Sequence, residues 1–506
     1  MVESILLGGS FTSRPTCNSP FAHKGVFCYP KSMTKTFFFY DLETSGLSGR
    51  DDRIMQFAGI RTDENLDQVG EPVNVLVKLS DDVLPSPEAL MVTGITPQQT
   101  VADGYSEAEF AKMLNEEIFT PDTVVIGFNN IRFDDEFIRY LFWRNFHDPY
   151  EWSWRDGRSR WDLLDVVRMT RALRPEGINW PVGKDGKPTN RLELLSKTNN
   201  LVHTKAHDAL SDVEALIAVT RLIKEKQPQL YDYLFKLRDK NEIKKLINLQ
   251  DKKPFVYVSG RLDGEFNKAS VAFPLTSGKN GNVVVYDLRY DPTPFLKLDQ
   301  KELAKILYAT WEERKAEDFQ KLPIKELQYN HAPAVAPLGV LAQHDGWEKI
   351  GLNEETITKN RDILLSAPAF AENVRSIFEN KRDYKPSTDA EAQLYDSFMP
   401  DVDKLRTEVV RNASENQLAD LNPSFTDERL SPLLLHYKAR SFPKSLSEEE
   451  SVLWEKWRAN KITESLPGFT KSMQKLSGTE LTEDKKFILE ELQLWAESVL
   501  PVDIDD

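Results

Sequence analysis

The stretch Thr36-Phe37-Phe38-Phe39-Tyr40-Asp41-Leu42-Glu43-Thr44-Ser45-Gly46 decides how the chain is read. Its bulky, β-prone start predicts a short buried strand over 36–40. Asp41 and Glu43 follow that strand directly. On an extended backbone, residues two apart point the same way. The two carboxylates therefore share one side and rest on a buried support. Paired oxygen donors of this kind suit a hard divalent cation. The competing reading, two solvent-facing acids at a strand end, is common enough that Asp-x-Glu alone decides little.

Further strands are expected at 53–61 and 73–78, where Val73, Val75 and Val77 alternate with Asn74, Leu76 and Lys78. Ser106-Glu107-Ala108-Glu109 is a capping-box pattern ahead of a helix at 110–118. A buried strand at 123–128 follows, then helices at 134–145, 162–173, 191–197 and 207–226, the last stopping before Pro228. Strands followed by strand–helix alternation predict one α/β domain over 34–227. A basic helix at 231–249 and short β segments at 255–260, 270–273 and 282–288 predict a small β-rich domain with helical insertions over 228–383. Residues 387–506 read as a charged helical domain with the acidic tail Asp503–Asp506. Residues 1–33 lack periodicity and read either as a disordered extension or as sequence ahead of a true start at Met33.

The chain has 506 residues, too many for one core. No apolar run approaches the ~18–20 residues needed to span a bilayer, and residues 4–10 make a poor signal sequence. A cytoplasmic protein without a membrane segment is expected. Its two cysteines, Cys17 and Cys28, exclude a disulfide framework or a cysteine-held zinc from the rest of the chain. Any metal must be held by oxygen or imidazole. The net charge of −15 argues mildly against a nucleic-acid binder, but a carboxylate-rich metal site and a local basic stripe can share one body.

Two further elements carry candidate chemistry. Asn129-Asn130-Ile131-Arg132-Phe133-Asp134-Asp135-Glu136 opens a helix, where acids are also favoured by the helix dipole. His207-Asp208-Ala209-Leu210-Ser211-Asp212 opens the last helix of the region and puts a base beside a possible ligand. In order, these pieces resemble the DEDD superfamily of 3′→5′ exonucleases in its histidine-bearing branch. Phe-Asp-Asp-Glu at 133–136, Arg-Asn-Phe at 144–146, Asp-Pro-Tyr at 148–150, Trp-Ser-Trp at 152–154, Arg-Trp-Asp-Leu-Leu-Asp at 160–165, Leu-Arg-Pro-Glu-Gly-Ile-Asn-Trp-Pro at 173–181 and Gln-Pro-Gln-Leu-Tyr-Asp-Tyr-Leu-Phe at 227–235 are similar to the bacterial exodeoxyribonuclease I family.

The resemblance covers 34 to the end. It implies an α/β ribonuclease-H-like exonuclease domain with a mixed sheet, an SH3-like β-rich domain and an α-helical C-terminal domain. It implies 3′→5′ digestion of single-stranded DNA to 5′-mononucleotides by two-metal hydrolysis, in DNA repair and recombination. Asp41, Glu43, Asp134, His207 and Asp212 would be catalytic. Asp41, Glu43 and Asp212 would hold Mg²⁺ (two ions, with Mn²⁺ an alternative), and His207 would be the general base. Glu43 and Arg191 would meet the substrate end, and Arg139, Tyr150, Trp154, Arg168 and Tyr233 the DNA. Arg174 and Tyr233 would meet the acidic C-terminal tail of single-stranded-DNA-binding protein. Glu354 stands where the family would lead one to expect an arginine of that partner site. The enzyme would be a monomer.

The residues add support of their own. Five of the ten tryptophans lie between Trp143 and Trp180, interleaved with arginines. Stacking aromatics and phosphate-holding arginines bind unpaired strands without sequence preference. The polarity around Trp152 and Trp154 predicts a surface loop, against the alternative that the tryptophans are core. The basic stretch Lys236, Arg238, Lys240, Lys244, Lys245, Lys252 and Lys253 extends a groove or forms a solvated helix face. The alternatives are an exoribonuclease of the same superfamily, a non-catalytic nucleic-acid scaffold, or a metal phosphatase. The last leaves the aromatic–arginine segment unexplained.

Overall fold

A computed structural model describes residues 35–201, 209–380 and 387–501. His207, Cys17, Cys28, the segment 1–33 and the tail Asp503–Asp506 lie outside the described residues.

Strand β1 (Thr36–Thr44) runs four residues past the expected end. The reason is its antiparallel partner β2 (Ile54–Thr62), which pairs Asp41 with Ala58 and Glu43 with Gln56. Strand β3 (Val73–Leu76) adds to β2 antiparallel. Strand β4 (Thr123–Gly127) joins β1 in parallel, with Phe39 opposite Ile126 as the last pair, and β5 (Ser159–Asp162) joins β4 in parallel. The sheet order β3-β2-β1-β4-β5 is therefore mixed. Asp41 and Glu43 sit beyond the end of β4 pairing, at the carboxyl end of a parallel pair, where open α/β sheets place their ligands.

The period of two in β1 divides two cores. Phe37 and Phe39 pack with Ala58, Ile126, Trp161, Val213 and Leu216. Phe38, Tyr40 and Leu42 pack on the opposite face with Phe57, Phe110, Phe119, Phe137 and Trp152. Asp41 and Glu43 thus share the face covered by the helix Ala209–Lys226, which carries Asp212.

The basic helix expected at 231–249 is two helices, Pro228–Lys236 and Lys240–Leu246. Asp239 breaks the run because its side chain caps the second helix, accepting from the Asn241 N–H. The β-rich region is a five-stranded antiparallel sheet in the order β10-β6-β7-β8-β9. Its strands are β6 (Phe255–Val258), β7 (Ala269–Ser277), β8 (Val283–Asp287), β9 (Ile324–Leu327) and β10 (Val335–Pro337). Only the first three were visible as β segments. Strands β9 and β10 are four and three residues long, too short for a periodicity signal.

Helices from Asp401 to Val499 build the remainder and pack back onto the first region. Met55, Leu79 and Leu90 meet Ile462, Leu492 and Trp495, while Trp143 and Phe146 meet Leu394, Leu433 and Tyr437. Between these apolar patches lies a buried ionic junction. Asp82 accepts from Arg53 (3.1 Å), Arg440 (3.0 Å) and Lys461 (2.5 Å). Glu391 accepts from Arg53 (2.9 Å), from Arg440 and from the His436 Nδ1 (2.8 Å). Arg144 and Glu107 pair at 2.8 Å beside it. No helix among the described residues is long and apolar enough to cross a membrane.

Candidate active site

Three elements converge on one acidic point. Asp41 and Glu43 come from β1, and Asp212 from the first turn of the helix Ala209–Lys226. One ligand oxygen from each lies within 4.8 Å of the others. Asp134 opens the helix Asp134–Arg144, which β4 leads into through Asn129, an asparagine with φ +71°. Asp134 stands outside the tight trio, yet it is the first charge that Asp41 feels. Burial pushes the Asp41 carboxyl well above the usual range, and Asp134, Glu43 and Asp212 push it further. Asp134 is raised in the same sense by burial, then by Asp135, Asp162 and Glu43. Such crowding of carboxylates favours a cation, and an all-oxygen donor set selects a hard divalent one. The residues present fit a divalent metal.

The acids in the first turn of that helix separate by role. The helix cap is Phe133, with no side-chain cap bond. Asp135 is fully buried and accepts from the Tyr40 hydroxyl (2.9 Å) and the Asn130 amide (3.3 Å), and it pairs with Arg160. Asp134 alone faces the cluster. Nearby, Asp162 accepts from the Asn129 and Leu164 N–H groups and is pushed up to about 7, by burial and then by Asp165. Arg191 is the cap residue of the helix Leu192–Thr198, with its side chain 74% exposed and 3.9 Å from Glu193.

The tryptophan expectation needs correction. Trp143, Trp152 and Trp161 are buried, and only Trp154 stands out, at 63% exposure. Trp143 donates to the Ala390 carbonyl (3.0 Å) and Trp152 to the Pro149 carbonyl (3.0 Å), so backbone carbonyls satisfy the indole N–H groups of these core rings. Several arginines of the segment are likewise structural. Arg144 pairs with Glu107 and Arg160 with Asp135.

Of the expected DNA residues, Arg139 lies 5.8 Å over the Tyr150 ring and donates to the Tyr395 hydroxyl (3.3 Å). Tyr150 stands 6.5 Å from Tyr395 and 6.3 Å from Phe398, which is 88% exposed. Tyr395 and Phe398 were missed, because nothing in their own segment marks them until the C-terminal helices bring them to Tyr150. Arg168 bonds Asp165 (2.6 Å), which also holds Arg132 (2.8 Å). The loop after β6 presses on Arg168 closely enough that a Cβ at Gly260 would sit 2.8 Å from its Nη2. Lys325 on β9 donates to Tyr257 and to the Ser259 Oγ (2.9 Å). Burial, then Arg132, Arg261 and Arg168, push it down to about 8 against the pull of Asp165. His331 is pushed down to about 3 by burial and then by Arg160, Arg139, Arg132 and Lys325. Arg132, Arg160, Arg168 and Lys325 thus gather within one another's electrostatic reach, partly balanced by Asp135 and Asp165, in a chain of net charge −15. Lys325 and Arg132 were also missed; alternation in Ile-Lys-Glu-Leu gives no hint of a cation cluster.

Tyr233 is half-buried in the helix Pro228–Lys236, and burial raises its hydroxyl to about 12. Arg174 follows the helix Leu163–Leu173 and reaches the Gln343 side chain (3.4 Å).

Comparison with known proteins gives matches along nearly the whole chain. A family model described as Exonuclease matches residues 38–220, one described as Exonuclease I SH3-like domain matches 238–380, and one described as Exonuclease I C-terminal domain matches 388–499. The chain is 41% identical to exodeoxyribonuclease I of Haemophilus influenzae, covering 87% of this chain and 93% of that one. It is 40% identical to that of Escherichia coli K12, covering 91% and 97%. Among solved structures, E. coli exonuclease I in complex with a dA16 oligonucleotide is similar at a TM-score of 0.88 and 39% identity, covering 92% of this chain and 100% of that one. The zinc-bound E. coli exonuclease I–single-stranded-DNA complex gives 0.88 at 38% identity, and the SSB/exonuclease I structure with the inhibitor CFAM gives 0.85 at 38%, both with the same coverage.

Proposed function

Since the chain belongs to the exodeoxyribonuclease I family, we propose that it is a metal-dependent 3′→5′ exonuclease that degrades single-stranded DNA to 5′-mononucleotides. The observation that carries this reading is the convergence of Asp41, Glu43 and Asp212, with Asp134 alongside.

In this reading Asp41, Glu43 and Asp212 hold divalent metal, Mg²⁺ or in its place Mn²⁺, with Asp134 completing the site. Two such ions supply Lewis acidity for the hydrolysis of a phosphodiester. Glu43 and Arg191 hold the terminal nucleotide. An imidazole nitrogen of His207 takes the proton of the attacking water, the role of general base that histidine fills most often. Arg139, Tyr150, Trp154, Arg168 and Tyr233 line the path of the strand, joined by Tyr395, Phe398 and Lys325, through stacking and phosphate contacts. We place the enzyme in DNA repair and recombination in the cytoplasm, as a monomer. Its three domains are 34–227, 228–383 and 387–506. Arg174 and Tyr233 meet the acidic tail of single-stranded-DNA-binding protein.

The deciding experiment follows 3′-labelled and 5′-labelled oligonucleotides of DNA and RNA with and without Mg²⁺. Immediate release of the 3′ label as mononucleotide, from DNA and only with metal, is the expected result. Binding without nucleotide release would turn the reading toward a scaffold, and preferential digestion of RNA toward an exoribonuclease.

A pH dependence follows from Lys325. It carries its charge below about pH 8 and loses it above. Affinity for oligo-dT, measured by anisotropy in chelator, should therefore weaken from about pH 7 to about pH 9.5, beyond the midpoint at which the lysine discharges. The salt slope should fall by about 0.7 over that range, the share of one phosphate contact on a single strand. Lys325→Arg should remove the pH dependence. An unchanged slope in the parent protein would exclude Lys325 from the path.

A further inference from the structure

We propose that Asp135 is a positioning residue of the carboxylate site: held by Tyr40 on one side and Arg160 on the other, it fixes the spacing between Asp41 and Asp134. The proposal rests on the reading that these two acids belong to the hydrolytic site.

The geometry is that of two adjacent pairs. Tyr40 precedes Asp41 on β1, and Asp135 follows Asp134 in the first turn of the helix Asp134–Arg144. In each pair one residue faces the acidic point. The other residue of each pair bonds its counterpart: the Tyr40 hydroxyl donates to the Asp135 Oδ1 at 2.9 Å. Tyr40 and Asp135 are both buried, so this bond cannot be exchanged for one to water. The Asn130 amide donates to the same oxygen (3.3 Å), tying in the turn that leads from β4 to the helix.

The other Asp135 oxygen is claimed by Arg160 on β5. Arg160 is itself buried and directs its second nitrogen to the Asn330 carbonyl (3.1 Å), between β9 and β10. The Asp135 carboxylate therefore has both oxygens committed. One is bonded to the strand that carries Asp41. The other is bonded through Arg160 to the turn between β9 and β10. A carboxylate used only as a helix-dipole partner needs neither bond. Hydrogen bonds behind metal-holding groups typically influence metal affinity and turnover by about 10–100-fold.

Tyr40→Phe is the sharpest test, since it keeps the ring in its core and removes one bond. Manganese binding is measured by calorimetry without DNA, and kcat and KM are measured on an oligo-dT with Mn²⁺. The expected result is about 10-fold weaker Mn²⁺ binding and about 10-fold lower kcat, with KM for DNA unchanged within about twofold. Asp135→Ala should show the larger loss of Mn²⁺ affinity. Parent-like Mn²⁺ affinity and kcat in Tyr40→Phe, with or without a lower melting temperature, would overturn the proposal and leave Asp135 a purely structural acid. If the parent protein itself neither binds Mn²⁺ nor releases nucleotides, the reading of the site falls and this inference with it.

Discussion

Asp41→Asn and Asp212→Asn proteins should bind single-stranded DNA yet release nucleotides on the order of 10³-fold more slowly, or not measurably. Each turns one of three carboxylates whose oxygens meet within 4.8 Å into a neutral amide. Several kcal/mol of transition-state stabilisation by metal depend on that set, and each ~1.4 kcal/mol is a factor of ten in rate. The fold should survive. In the absence of metal the Asp41→Asn protein should even be the more stable, because Asp41 is crowded by Asp134, Glu43 and Asp212 and the amide carries no charge. His207→Ala should lose about 10²–10⁴-fold, the scale of a missing general base. Circular dichroism, thermal melts and single-turnover digestion check all three. DNA degradation at the parent rate by purified Asp41→Asn would falsify the assignment of the site.

The second large effect lies far from the chemistry. Asp82→Asn should cost about 3–5 kcal/mol, the usual scale when one partner of a buried ion pair is removed and the rest stay charged. The asparagine leaves Arg53, Arg440 and Lys461 facing one another without their shared carboxylate. Burial pushes the Asp82 carboxyl up, but Arg440, Lys461 and Arg53 more than reverse this and hold it well below its usual range. Glu391 is depressed in the same way, chiefly by Arg440 and Lys461 against the opposing effect of burial. The sign for a depressed acid is definite: the stabilisation is complete above the unfolded value, near pH 4, and drains away as the pH falls through the folded value. Denaturant midpoints at neutral and acid pH test this. The parent should lose the junction on acidification, and Asp82→Asn should already lack much of it at pH near 7. Equal midpoints for the two proteins at neutral pH would refute it.

The placement of Asp41 and Glu43 was legible because strand alternation is a strict period of two, and Phe37 and Phe39 mark the face. Asp212 was legible because a long helix starts just before it. Asp134 and Asp135 are not separable by any local signal. Tertiary bonds from Tyr40 and Arg160 hold Asp135, while Asp134 is the acid that acts most on Asp41. The tryptophans misled for a related reason. Local polarity around Trp152 said surface, but the indole N–H bonds Pro149 and the ring stacks on Phe119, 5.1 Å away. Tyr395, Phe398 and Lys325 carry no marker because their surroundings come from other regions of the chain. The single helix expected at 231–249 missed the Asp239 cap, which a basic run on both sides conceals.

The ionic junction also bears on how the gene can be cut. A designer seeking a compact nuclease would be tempted to stop after residue 227, where the carboxylate-bearing helices are complete. That truncation would strip Asp82 of Arg440 and Lys461, and Arg53 of Glu391, and would leave the Trp143 N–H without the Ala390 carbonyl. The catalytic part is therefore not a detachable module. A shortened version needs its exposed seam rewritten, with Arg53, Asp82 and Trp143 redesigned together, before any activity measurement on it is meaningful.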